Sequence, residues 1–396
     1  MTIALRPWVA FAALAVLLLA ITPAFNGYDG PLRLAHELLR GRTYLPEFVP
    51  WIEMFRHDGR DYVAYPPMVS FVLVPFAWVT GGLLGQPVAN TLFLLGSALL
   101  LHRLFRSLDG LSDLAPYAVV AYALGTPSLH SAHNGNVWLL MHSEGNFFLL
   151  LALVLVVRAR SRFEGGPLPI WRLVLAGVSF MTAVQTRHVL ALAAPVFGLL
   201  FLIQARRFVR MRGTIRAGLW FSLGVVPPLL AALAFQWWTL GDPWMSPYQA
   251  GWREWGLQGP QFSLRYLDQN LPVYTYAHPT VLSEFPYLRF DLTGQSIFVM
   301  SPFFFGLFAL RWRLPWVAAF VPSVIAMTAF YLVYFGSGYA QFGARYMQDL
   351  YPLLIPLALS AFSRPGRGWR TALVVLLAYS ILINAYGTWV TIHVFD

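Results

Sequence analysis

The chain contains no cysteine among its 396 residues. Disulfides, thiolate metal sites and a cysteine nucleophile are therefore excluded. Lysine is absent as well, so all 27 basic side chains are arginine, a residue that stays protonated and grips phosphate with a planar fork. Charge of either sign is scarce. Only 11% of the residues are charged and 58% are hydrophobic, whereas a soluble domain carries about 25% charged residues. Such a surface cannot satisfy water but can satisfy lipid, and the chain reads as an integral membrane protein. The formal net charge of +10 does not indicate nucleic acid as a partner. Most arginines sit in short links between apolar segments, where the positive-inside rule accounts for them, and no basic surface interleaved with aromatics is apparent.

The fold expected is an all-α polytopic bundle of about eleven or twelve transmembrane helices, residues 1–396 forming a single transmembrane domain. Apolar runs fall near 8–25, 67–84, 87–102, 115–125, 143–158, 172–186, 189–204, 217–239, 295–310, 315–335, 347–362 and 371–391. The first run reads as an uncleaved helix, because no small-residue cleavage site closes it. The arginine groups at Arg158, Arg160, Arg162 and Arg172, at Arg206, Arg207, Arg210, Arg212 and Arg216, at Arg311 and Arg313, and at Arg364, Arg367 and Arg370 mark one cytoplasmic side; Arg6 adds to it. Two large loops, 26–66 and 240–294, then lie on the opposite, extracytoplasmic side. Parity requires one segment, taken as 115–125, to be a partial or broken helix lining a protein-enclosed cavity. Aromatic residues in both loops suit interfacial helices. There is no internal repeat, and the inverted-repeat signature of many transporters is missing.

Loop 26–66 is the expected catalytic loop. It opens on Asn26, Gly27, Tyr28, Asp29 and Gly30 and closes on Tyr62, Tyr65, Pro66 and Pro67 at the mouth of the second span. Asp29 stands within one turn of the bilayer. It serves either as a general base in a partly desolvated place or as the cap of a following helix. Arg345 lies at the outer end of a span, the wrong side for the positive-inside rule, so it needs a purpose or a partner. Phosphate, lipid headgroups or Asp349 four residues on would each supply one. Arg187 and His188 occupy an outer turn, as phosphate or sugar ligands or as a plain polar turn. His130, His133, His142 and Glu144 read as a polar rim facing substrate rather than a metal set, since no metal-ligand spacing links them.

These residues carry a resemblance. Tyr28-Asp29, then Ala35, Leu38, Leu39, Gly41 and Tyr44, then Tyr62, Tyr65, Pro66 and Pro67, together with Gly343, Arg345 and Tyr346, resemble the GT-C superfamily of integral-membrane glycosyltransferases. The likeness is to the polyprenol-phosphate-sugar-dependent mannosyltransferase-like families of bacteria, and the order of spans and links agrees over nearly the whole chain. The chain departs from the pattern in having His133, Asn134, Gly135 and Asn136 where a Gly-Gln pair is usual, and Gly30 where some relatives place a second acid.

The resemblance implies a GT-C hexosyltransferase. A sugar, mannose or another hexose or pentose, would move from a polyprenyl-phosphate donor to a hydroxyl of a glycan, glycolipid or protein acceptor. Asp29 would be the general base and the anomeric centre would invert. Arg345 and Arg187 would hold the donor phosphate. Tyr28, Tyr65, His133, Asn136, His188 and Tyr346 would contact substrate. No cofactor is required by the motifs, and magnesium or manganese stays open. The expected location is a bacterial inner membrane with the site facing outward. The rival reading is a lipid or glycolipid flippase.

Overall fold

The computed structural model describes residues 7–159, 169–208, 211–256, 259–338 and 341–394. Arg6, Arg160, Arg162 and Arg210, used above to orient the chain, lie outside them. The architecture is an α-helical membrane bundle. The first helix is α1 (Pro7–Ile21), and the first loop then holds α2 (Gly30–Leu39) and a hairpin of β1 (Met54–His57) and β2 (Arg60–Val63). Next come α3 (Pro67–Thr80), α4 (Gln86–Phe105), α5 (Ala115–Ala123), α6 (Ser128–Asn134), α7 (Val137–Ala159), α8 (Ile170–Thr186), α9 (Ala194–Phe208) and α10 (Met211–Leu240). The second loop carries α11 (Pro247–Glu254), α12 (Leu267–Thr275) and a short pairing of β3 (Thr280–Val281) with β4 (Leu288–Arg289). The chain ends with α13 (Ile297–Met300), α14 (Pro315–Leu332), α15 (Tyr351–Ser360) and α16 (Arg367–Val394).

Among the described residues, five helices are long and apolar enough to cross a bilayer: α4, α7, α10, α14 and α16. Four shorter apolar helices, Trp8–Ile21, Pro67–Thr80, Ile170–Thr186 and His188–Ile203, accompany them. The segment expected at 115–125 is indeed short. Three other expected spans are not continuous α-helices; residues 189–204 begin with a 3-10 stretch, His188–Ala193, before α9. Residues 295–310 become α13 followed by a 3-10 stretch, Pro302–Ala309. Residues 347–362 become a 3-10 turn, Arg345–Leu350, then α15, then another 3-10 turn. Pro302 and Pro352 begin their helical stretches, where a missing backbone N–H costs no ladder bond, and Pro356 sits inside α15. The stretches at 295–310 and 347–362 are packed against each other inside the protein, where their backbone groups are shielded from lipid.

The outer loops are folded structures in mutual contact. Residues 58 and 59 form the hairpin turn, with φ of 46° at Asp58 and 75° at Gly59, which suits an Asp-Gly pair. The Arg56 backbone N–H donates to Glu254 of α11 at 2.9 Å, and the Trp255 indole donates to the Met54 carbonyl at 2.9 Å. Phe55, Tyr62, Ala64 and Leu240 form a small core between the loops. Helix α12 is tied to the end of α14. Its buried Asn270 donates to the carbonyls of Tyr331, Leu332 and Tyr334 at 3.0, 3.1 and 2.7 Å, capping the end of α14.

The turn between α6 and α7 depends on Gly135. Its φ is +59°, and an added Cβ would stand 2.3 Å from Pro87 Cα. Gly135→Ala should destabilise the protein by roughly 2–5 kcal/mol through left-handed strain and overpacking. Thermal unfolding in nanodiscs reads this directly, and an unchanged midpoint would refute it.

Candidate active site

The start of the first loop is tied to the N-terminus of α7. The Tyr28 carbonyl accepts the Val137 N–H at 3.0 Å and the Gln86 side-chain amide at 3.1 Å. Asn26 accepts the Tyr28 N–H at 2.8 Å and donates to the Asn134 carbonyl at 2.9 Å. Asn136 uses its side-chain oxygen on the Leu139 N–H at 3.0 Å, one of the free donors of the α7 first turn. His133 Nδ1 lies 2.8 Å from the Ile21 carbonyl oxygen. Both residues, expected at the substrate rim, thus hold α1, α6 and α7 together through these atoms. α7 starts at Val137, earlier than the expected run 143–158, so His142 lies inside that helix with Glu144 and not in the link before it.

Asp29 precedes α2 but makes no side-chain cap, so a capping role does not explain it. Its carboxylate instead accepts from Arg33 Nε at 2.6 Å and keeps 21% side-chain exposure. The next position has no room for the second acid of the family pattern. A Cβ on Gly30 would come within 2.9 Å of the Ile52 side chain and 3.4 Å of Tyr65.

The two candidate phosphate ligands have opposite surroundings. Arg187 is engaged, donating from Nε at 3.0 Å and Nη2 at 2.8 Å to Asp349 Oδ2 and from Nη2 to the Tyr331 hydroxyl at 3.0 Å. His142 Nδ1 lies 2.5 Å from the other Asp349 oxygen, and the Tyr331 hydroxyl also donates to Asp349. Asp349 has no exposure. Four segments, α7, α8, α14 and the turn before α15, converge on this one carboxylate. Its partner is Arg187, not Arg345 four residues upstream. His188, beside Arg187, is exposed.

Arg345 is only 7% exposed, its Nε is buried without a partner, and no ion pair reaches it among the described residues. It is held by rings. Its Cζ lies 5.6 Å from the centroid of Trp138 and 5.4 Å from that of Tyr346. A guanidinium contacting aromatic faces keeps its in-plane N–H edges available for an anion. Tyr346 stacks on Tyr331 at 5.0 Å, and the Tyr28 ring meets Trp138 at 5.3 Å. Asp29 is therefore adjacent in sequence to a residue touching the same indole that contacts Arg345.

Glu53 completes the cluster. Trp138 Nε1 donates to its Oε1 at 3.3 Å. The buried Tyr65 hydroxyl faces Glu53 without closing a well-formed hydrogen bond. Burial pushes the Glu53 carboxyl up, against the opposing pull of Tyr65, Trp138 and Arg345. Burial likewise pushes the Tyr65 hydroxyl up, so it stays a donor. From the second loop, Tyr248 of α11 pairs with Tyr334 and is pushed up to about 12 by burial. Glu53 and Trp138 were not singled out from the sequence. The available signal for Glu53 was a lone acid within the apolar run Trp51 to Phe55.

The donor set does not fit a divalent cation. Magnesium or manganese is normally held by one or two carboxylates free of competing cations. Here Asp29 is occupied by Arg33 and Glu53 shares its site with Arg345. Among the described residues, no three His, Asp or Glu side chains come together.

No family model matches the sequence, and no curated protein matches it. Solved structures do. Over 94% of this chain it is similar to ArnT from Cupriavidus metallidurans bound to undecaprenyl phosphate, at 17% identity and a TM-score of 0.55, covering 62% of that protein. Over 96% of this chain it is similar to the oligosaccharyltransferase of Archaeoglobus fulgidus in its apo form, at 15% identity and a TM-score of 0.50, covering 55% of that protein. The chain shares the fold of these two proteins. It spans less than two thirds of the length of these neighbours. At such identities the likeness is one of fold, and it agrees with the layout read from Tyr28-Asp29 through Tyr65-Pro66-Pro67.

Because the Glu53 carboxyl is raised in the fold, its charging opposes folding. Wild-type stability should fall as pH rises from the unfolded value of about 4.3 through the raised folded value. Glu53→Gln should remove that slope and unfold at a higher temperature than wild type near neutral pH. Parallel melting curves across pH for the two proteins would contradict the assignment.

Proposed function

We propose that the protein is a GT-C-type glycosyltransferase of a bacterial cytoplasmic membrane, moving a sugar from a polyprenyl-phosphate carrier to an acceptor hydroxyl on the outer face. The observation that carries this reading is Arg345, a buried cation with aromatic walls and, among the described residues, no carboxylate within ion-pair distance. A desolvated cation is costly unless an anion joins it. The neighbouring Arg187 is already neutralised by Asp349, so the ligand's charge is met by Arg345. The similarity in fold to ArnT bound to undecaprenyl phosphate supports a lipid phosphate as that anion. The sugar, a hexose such as mannose, follows from the sequence resemblance.

In this reading the acceptor oxygen attacks the anomeric carbon as the bond from that carbon to the phosphate oxygen breaks. Asp29 takes the acceptor's proton, and the polyprenyl phosphate leaves with its charge held by the Arg345 guanidinium. In-line displacement inverts the anomeric centre. Arg33 and the Tyr28 backbone position the Asp29 carboxylate, and Tyr65 and Glu53 flank the phosphate side. The flippase reading needs a polar path through the bundle. The polar side chains of α7 instead are sealed, with His142 and Glu144 at 0% and Asn146 at 2% exposure.

Two variants test the assignment. Arg345→Ala should weaken binding of a polyprenyl-phosphate sugar at least about tenfold, the cost of one charge-assisted contact. Thermal shift against the lipid-linked sugar and the bare lipid phosphate measures it, and equal affinity would remove Arg345 from the site. Asp29→Asn should preserve that thermal shift while lowering turnover by about 10²–10⁴-fold. Full turnover would require another proton acceptor.

A further inference from the structure

The second outer loop bounds an open cleft of about 450 Å³, lined by Asp242, Trp244, Gln249, Trp252, Arg253 and Gln261 along with Met245. None of these residues takes part in the phosphate cluster. Two features mark the cavity as built. The Ser246–Gln249 capping box fixes the start of α11, the helix supplying one wall. The wall ring Trp252 is held in turn by Phe335, 4.8 Å away in edge-to-face contact, and by Tyr248 at 6.1 Å.

The rings also place the cavity beside the transfer site. Phe335 lies 4.7 Å from Tyr334, Tyr334 lies 5.8 Å from Tyr346, and Tyr346 is one wall of the Arg345 slot. Three ring contacts therefore lead from Trp252 to Tyr346. The chemistry of the lining is selective. Indole rings offer flat apolar faces, and Trp244 is 78% exposed. Asp242, Gln249, Gln261 and Arg253 offer donors and acceptors, with one charge of each sign. A pyranose has the complementary form, an apolar face of axial C–H groups and a rim of hydroxyls. A volume of this size falls within the usual range for a small-molecule site, roughly 300–1,000 Å³. An anionic ligand would gain little from a lining whose charges cancel.

We propose that this cavity is the acceptor subsite and that the acceptor is a neutral glycan, bound with a sugar ring against Trp244 and Trp252. The inference rests on the glycosyltransferase reading for its direction of transfer, but binding can be tested without turnover.

Saturation-transfer NMR on the full-length protein in nanodiscs, which avoid sugar-headed detergents, is the experiment. The probes are maltose, cellobiose and α-1,6-mannobiose, with an acetylated Ser-Gly-Thr peptide alongside. At least one disaccharide should receive saturation on the C–H protons of one ring face. Trp244→Ala should reduce the effect by about fivefold, the loss of one ring contact, with Trp244→Phe retaining most of it. Trp252→Ala should do the same, and the exposed Trp244 provides the variant least prone to misfolding. No transfer to any disaccharide, equal transfer in both alanine variants, or transfer to the peptide alone would overturn the proposal. The lipid-linked-sugar thermal shift is measured on the same samples. A retained shift without disaccharide binding removes only the subsite, whereas disaccharide binding without a shift removes the donor reading and leaves the subsite.

Discussion

Asp349 is removed from water, and a carboxylate in that position is tolerable only with several donors around it. His142, Arg187 and Tyr331 supply them from three separate helical segments, and Asn270 caps the helix that carries Tyr331. This arrangement joins α7, α8, α14 and the turn before α15 at one point near the outer loops. It also decides the electrostatics of the neighbourhood. With Asp349 committed to Arg187, Arg345 one turn upstream makes no ion pair with it and rests against Trp138 and Tyr346, with Glu53 nearby. The open positive charge at the site is thus produced by a pairing made elsewhere.

The outer loops are arranged around that charge. The first brings Asp29, Glu53 and Tyr65 to it, and its start is anchored through the Tyr28 carbonyl to α7 and Gln86. The second loop packs on the first through Glu254 and Trp255, and places Tyr248 and Asn270 against the α14 end. A lining dominated by tyrosine and tryptophan gives both apolar faces and hydroxyls whose protons are retained, as burial dictates at Tyr65 and Tyr248.

Much of this was readable in the sequence. Scarce charge gave the membrane class, Asp29 stood out at the lip of the first helix, and Arg345 stood out as an arginine on the outer side. What was not readable depends on contacts distant in the chain. Asp349 has Arg345 as its nearest cation in sequence, yet it binds Arg187 across 162 positions. Glu53 acquires its character from burial beside Trp138, 85 positions away. His142 made the start of α7 look like a polar link, because hydropathy does not register polar groups satisfied inside a bundle. Proline alone does not decide where a helix breaks. Pro75, Pro227, Pro228 and Pro322 sit within helices, whereas the segments holding Pro302 and Pro352 are broken. Packing decides between those outcomes.

The ring-held guanidinium has a bearing on how the cycle would finish. A sugar-linked carrier is a phosphodiester with a single negative charge, whereas the spent carrier is a monoester that gains further charge near neutral pH. Trp138 and Tyr346 compete only modestly for Arg345, since a cation–π contact is worth about 0.5–2 kcal/mol. The product would then be the stronger ligand of the two, and departure of the used lipid, not bond exchange, would govern the rate of repeated turnover.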